Sequence, residues 1–240
     1  MKQIFVFLLT LSFYLIHGQE PKRQKEPKRI FIGFNFSPDY DFRTLKQNDE
    51  SPSASLVIKS RNDIEIAKFG YTTGLNICIN ITTFLRLETG IQYSNKGYKT
   101  KNQDLIWAPP DPGLPTKSKF IYSYQYIGFP AEAAFIFGKN KIRFLTSVGF
   151  MTNFLLKVKQ TNILEYSDGR TDKNNQSITG FKKIDISPMI SFGIEYKINE
   201  KTKVIAAPTF RYGVLKTKDA PITENLWNAG LNIGFYYRLK

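Results

Sequence analysis

From residue 230 to 239 the chain alternates without a break. Leu231, Ile233, Phe235, Tyr237 and Leu239 share one parity, and Gly230, Asn232, Gly234, Tyr236 and Arg238 the other. Strict period two predicts a strand with one apolar and one polar face. The same rhythm marks strands at 30–41, 68–80, 83–98, 120–137, 142–158, 181–198, 202–215 and 230–239. In the first, Ile32, Phe34 and Phe36 oppose Gly33, Asn35 and Ser37; in the third, Leu85, Leu87, Ile91 and Tyr93 oppose Arg86, Glu88, Gly90 and Gln92. The connections alternate in length. Polar or Pro-rich stretches at 42–67, 99–119, 159–180 and 216–227 are long, whereas turns at 80–82, 138–141 and 199–201 are short. Eight strands joined this way predict an all-β fold, an eight-stranded antiparallel up-and-down transmembrane β-barrel.

Alternation reveals two faces but not which one points inward. A soluble lipocalin-like barrel would turn its apolar face in. The polar parity of the second strand holds Lys68, Gly70, Thr72, Gly74, Asn76, Cys78 and Asn80. Glycines weaken a water-facing strand and suit a crowded small-barrel interior, so the polar face is assigned to the lumen. On that parity lie Arg86, Glu88, Glu132, Arg143, Asp185, Glu195, Arg211 and Arg238. Charges of both signs around one lumen are expected to pair as an interior network; the alternative is that several are solvated at the rims. Aromatics near the strand ends mark two interfaces: Tyr40, Tyr98, Tyr122, Phe181 and Trp227 at one, Phe137, Tyr196 and Tyr237 at the other.

The ends set the compartment. Met1, Lys2 and Gln3 precede an apolar run at 4–16 and then His17-Gly18-Gln19. This reads as a signal peptide over 1–19 rather than an anchor, because the run is too short to span a bilayer. Residues 20–29 follow as a basic leader with Pro21, Pro27 and five cations, and 30–240 form the barrel domain. The single histidine, His17, leaves with the signal, and Cys78 is the single cysteine. That excludes His-based catalysis, the usual zinc sites and any internal disulfide. Cys78 reads as a buried, inert thiol.

Composition agrees with strands crossing a membrane: 42% hydrophobic residues with a mean hydropathy of −0.29, and 20 Phe and 13 Tyr. The net charge of +14 raises nucleic acid as a partner, but an exported chain without a recognition motif argues against it. The charge then serves loop solubility, or attraction to anionic headgroups and surface polysaccharide.

Tyr126-Ile127-Gly128-Phe129-Pro130 resembles the tyrosine–isoleucine…proline strand motif of PorT-like outer-membrane β-barrel proteins, common in Bacteroidetes. Leu87-Glu88-Thr89-Gly90-Ile91-Gln92-Tyr93, Gly193-Ile194-Glu195-Tyr196 and Phe210-Arg211-Tyr212-Gly213 resemble its other strand signatures. The resemblance spans about residue 30 to the end. It implies an eight-stranded barrel and a last strand read by the barrel-assembly machinery, although this chain ends Leu239-Lys240 instead of in Phe. Some members of that family assist a type IX secretion machine.

No catalytic constellation is evident, and no cofactor is expected. Asp39 and Asp41 share a face with spacing for calcium at a rim, which is weak evidence alone. The expected function is a non-enzymatic scaffold of the bacterial outer membrane, its termini periplasmic, accessory to secretion or envelope assembly. The alternative is a narrow porin-like channel for ions or small solutes. Expected partners are outer-membrane lipid and lipopolysaccharide, the barrel-assembly machinery and an envelope protein. Trp107, Pro109 and Pro110 are the apolar loop residues placed to contact such a partner.

Overall fold

A computed structural model describes residues 29–48, 52–109 and 111–239. The signal, nearly all of the leader and Pro110 lie outside the described residues. The elements run β1 (Arg29–Gln47), α1 (Pro52–Ile64), β2 (Glu65–Asn80), β3 (Leu85–Thr100), β4 (Gln103–Asp104), β5 (Lys117–Phe137), β6 (Ile142–Glu165), β7 (Thr171–Ile178), β8 (Ile184–Lys197), β9 (Thr202–Tyr212) and β10 (Ile222–Arg238). Every pairing is antiparallel.

Eight strands close a ring in the order β1, β2, β3, β5, β6, β8, β9, β10 and back to β1. The first and last strands seal it, from Phe31 opposite Arg238 to Gln47 opposite Ile222. Closure leaves the barrel wall without a free edge. One end, the turn end, carries both strand termini Arg29 and Arg238 and the short turns. The other, the loop end, carries the long connections.

The faces divide as period two requires. Leu75, Ile91 and Phe235 are 54%, 48% and 52% exposed, while Arg86 and Glu195 are 0% exposed. An apolar outer wall around a polar centre inverts a water-soluble barrel, and hydrocarbon is the solvent that suits it. Among the described residues no helix is long and apolar enough to cross a membrane; strands make the crossing.

The loop end is more ordered than the polar composition of its connections predicts. β5 and β6 are 21 and 24 residues long, about twice the 9–11 residues that cross a bilayer. Their upper halves therefore stand clear of the wall. There β6 leaves β8 at Phe154 opposite Ile184 and takes β7 instead, from Val158 opposite Ile178 to Glu165 opposite Thr171. The polar connection expected over 159–180 is thus a hairpin, and that over 42–67 is the end of β1, the helix α1 and the start of β2. β9 ends at Tyr212, short of the 215 expected, and β10 starts at Ile222, eight residues before the clean alternation. Backbone pairing extended these elements through sequence without an apolar face, because outside the membrane both faces meet water.

Candidate functional site: the filled lumen

The inward parity places charged and aromatic side chains in layers along the axis. Nearest the turn end, Glu195 of β8 is held by Arg86 of β3 and Arg143 of β6, one on each carboxylate oxygen. Lys203 of β9 lies 3.3 Å from the oxygen that Arg86 holds. Arg86 also donates to the Asn80 side-chain oxygen at 3.2 Å. Beside this group, Glu88 accepts from the Tyr236 hydroxyl at 2.6 Å, from Asn76 at 2.8 Å and from the Cys78 thiol at 3.1 Å. Cys78 is fully buried, as its parity with Gly74 and Asn76 predicts.

Glu132 faces Glu88 across the β3–β5 pair. Among the described residues neither carboxylate forms an ion pair; Ser147 donates to Glu132 at 2.8 Å and in turn meets Ser191 at 2.6 Å. Hydroxyl and amide donors thus do here what ion pairs were expected to do. Higher up, Asp39 accepts from Ser37 and Thr72, each at 2.6 Å, with Arg211 at 3.5 Å. Lys68 lies 3.7 Å from Asp41 and donates to the Asn95 side chain at 3.2 Å. Asp185 accepts from Asn153 and Ser187 at 3.2 and 2.8 Å. Arg238 stands half-buried at the turn-end rim, outside these groups.

At the loop end the lumen is capped. Arg43 donates to Glu65 at 2.7 Å and to Asn62 of α1 at 2.6 Å. Arg61, in the last turn of α1, reaches down to Glu65 at 2.7 Å and to Glu224 and the Tyr98 hydroxyl at 3.1 Å. Tyr124 donates to Glu224 as well. Tyr98, Tyr124, Tyr126, Val158 and Leu226 pack as a buried cluster, with Tyr122 and Phe181 against it. This corrects the expected girdle: Tyr98 points inward, and Tyr122 and Phe181 belong to the plug. Tyr40, Phe137, Tyr196 and Tyr237 do face outward, and Trp227 packs against Tyr40, Phe42 and Phe210.

Asp39 and Asp41 are deep in the lumen rather than at a rim, already engaged by Arg211, Thr72 and Lys68. Among the described residues no group of three suitable side chains could hold a metal ion. Counting Arg61, eight cations (Arg43, Arg61, Lys68, Arg86, Lys96, Arg143, Lys203, Arg211) meet eight carboxylates (Asp39, Asp41, Glu65, Glu88, Glu132, Asp185, Glu195, Glu224) in these layers. These layers are thus close to charge balance among the described residues, and most of the surplus positive charge of the chain lies at the rims, loops and leader. Lys68, Lys96 and Lys203 share the inward parity with Arg86 and Arg211, so the same alternation in the sequence marks them as interior.

In the loop 105–116 the Trp107 indole donates to the Pro115 carbonyl at 2.7 Å and keeps part of its ring exposed. Pro109 is exposed beside it, and Ile106 is 93% exposed.

A closed ring with an apolar wall and a balanced, side-chain-filled centre defines a small integral membrane β-barrel. The chain matches the family described as outer membrane protein beta-barrel domain over residues 22–240. It belongs to that family, and its place is the bacterial outer membrane. Among solved structures it is similar to Neisserial surface protein A, with 12% identity, 88% of this chain and 99% of that chain covered, and a TM-score of 0.45. OprG of Pseudomonas aeruginosa gives 8%, 91%, 99% and 0.42. Ail, the attachment invasion locus protein of Yersinia pestis, gives 9%, 88%, 100% and 0.36. No curated protein sequence matches the chain.

Proposed function

We propose that the protein is a non-enzymatic scaffold of the outer membrane, closed to solutes, whose loop end contacts an envelope partner. The carrying observation is the state of the lumen. Arg86, Arg211, Tyr124, Tyr236, Met151 and Glu195 are fully buried at successive levels of the axis. A small barrel filled in this way has a packed core where a porin has water. In this reading the turn end faces the periplasm and the loop end the outside, the usual arrangement of short turns and long loops.

The outer rim supports lipopolysaccharide as a lipid partner. Lys157 and Lys159 flank inward-pointing Val158 on β6, and Lys99 lies between inward-pointing Tyr98 and Thr100 on β3. These ammonium groups sit above the apolar wall, at the level where phosphates would meet them. Ile106 and Trp107 form the apolar part of the protein-contacting surface. The PorT-like strand motif around Tyr126 and Pro130 makes an accessory role in secretion or envelope assembly the process in view, with the barrel-assembly machinery required for insertion.

Conductance of the folded chain in planar bilayers tests the scaffold against the channel. A silent membrane at high protein load is expected. Sustained, discrete openings would overturn the proposal. Photo-crosslinking from position 107 in intact cells then identifies what the loop touches.

A further inference from the structure

At the turn end the barrel carries a recess of about 250 Å³. Its lining is strongly one-sided in charge. Arg29, Lys139, Arg143, Lys197 and Lys203 line it together with Glu200, and Glu195, just below, is the carboxylate that Arg143 and Lys203 share. These cations arrive from separate places: the start of β1, the 138–141 turn, the starts of β6 and β9, and the end of β8. At the floor lies Lys203, buried, with its ammonium lacking a hydrogen-bond acceptor. It rests 4.0 Å from the Phe31 ring and 3.3 Å from Glu195, a carboxylate that two arginines already occupy.

We propose that this recess is a binding site for a phosphate-type oxyanion. Ammonium and guanidinium groups converging from several directions suit a tetrahedral anion that accepts hydrogen bonds on every side. A carboxylate offers its acceptors in one plane, a poorer match to donors on several sides. A cleft of one sign between low-dielectric walls also concentrates its counter-ion. Among the described residues the carboxylates at the recess are Glu200 and, below it, Glu195. The shared chemistry is the phosphate group, borne by inorganic phosphate or by a phosphomonoester lipid headgroup. This site stands whether the loop end binds a protein or not.

The test is calorimetric titration of the folded full-length chain, in a maltoside detergent that contains no phosphate. Sodium phosphate is compared with sodium chloride at matched ionic strength. One saturable site for phosphate and none for chloride is expected. Affinity should fall at least tenfold in the surface double variant Lys139→Gln/Lys197→Gln, and likewise in Lys203→Met. Folding of each variant is checked by its heat-dependent gel shift; if Lys203→Met does not fold, the surface variant decides alone. Displacement by a short-chain phosphatidic acid would identify a lipid headgroup as a ligand, and failure to displace would restrict the site to soluble phosphate. Equal responses to phosphate and chloride, or unchanged affinity in the folded variants, would overturn the assignment.

Discussion

Arg86 of β3 and Glu195 of β8 pair across the axis of the barrel, between strands that are not neighbours in the sheet and residues 109 positions apart. Each is fully buried. The pair ties opposite walls together, and Arg143 and Lys203 depend on the same carboxylate.

Removing that carboxylate strands two buried cations, Arg86 and Lys203, and the half-buried Arg143. Glu195→Ala is expected to destabilise the folded barrel by about 3–5 kcal/mol, the usual cost of breaking a buried pair from one side. Urea unfolding in detergent, followed by the heat-dependent gel shift, reads this directly. An unchanged midpoint would show that the layer is hydrated and contributes little.

The outer wall makes a depth-dependent expectation. Ile91 lies mid-strand on β3 among outward apolar neighbours, whereas Phe69 lies near the loop-end rim. Ile91→Arg should cost about 2–4 kcal/mol in a bilayer and Phe69→Arg about 0–1 kcal/mol. Equal costs, measured by equilibrium unfolding from liposomes, would contradict the orientation of the wall.

Gly90 faces inward opposite Asn76, where the β2 and β3 backbones run close together. A Cβ there would press on the Leu75 carbonyl oxygen and approach the Asn76 side-chain oxygen to 2.6 Å. Backbone cannot yield as a flexible side chain would. Gly90→Val is expected to lose about 1–3 kcal/mol by overpacking, seen as a smaller folded fraction on refolding. A wild-type yield would mean that the pair can spread without penalty.

The exposed hairpin turn offers a titration. Asp168 accepts from the Arg170 backbone N–H at 3.0 Å and from its guanidinium at 2.6 Å, and both contacts hold its carboxyl below the usual aspartate value. A depressed carboxylate contributes to stability above the unfolded value, and that contribution fades as pH falls through the folded one. Arg170→Ala keeps the backbone bond and removes the guanidinium, so the Asp168 value should rise part of the way. Carbon-detected NMR titration of the carboxyl measures it; no movement would mean that the side-chain contact is not formed in solution.

Much of this architecture was legible because period two leaves a visible trace. Leu75, Ile91 and Phe235 announce one face, and Gly74, Gly90 and Arg86 the other. Where that trace stops, the sequence carries no local signal of the element. Helix α1 carries no clean apolar stripe, with Leu56 and Val57 exposed, so it passed for an irregular loop. β7 runs Thr-Asp-Lys-Asn-Asn-Gln-Ser-Ile, polar on both faces, and exists only because β6 extends far enough to pair with it. Tyr98 and Tyr122 sit near strand ends as girdle aromatics would, yet parity turns Tyr98 into the plug. Asp39 and Asp41 looked like rim ligands because position along the axis depends on how far β1 continues, and it continues to Gln47.

The order of residues by itself determined which side chains share a face, since consecutive Cβ atoms of a strand must point to opposite sides. It determined too that the connections alternate in length and that the wall had to be apolar. Only the closed ring decided who meets whom inside: Arg86 with Glu195, Tyr236 with Glu88, Arg61 with Glu224, and Lys203 at the floor of an open basic recess. Those encounters depend on strand stagger and on the seal between β1 and β10, which hydrogen bonds between distant segments establish and no local spacing encodes.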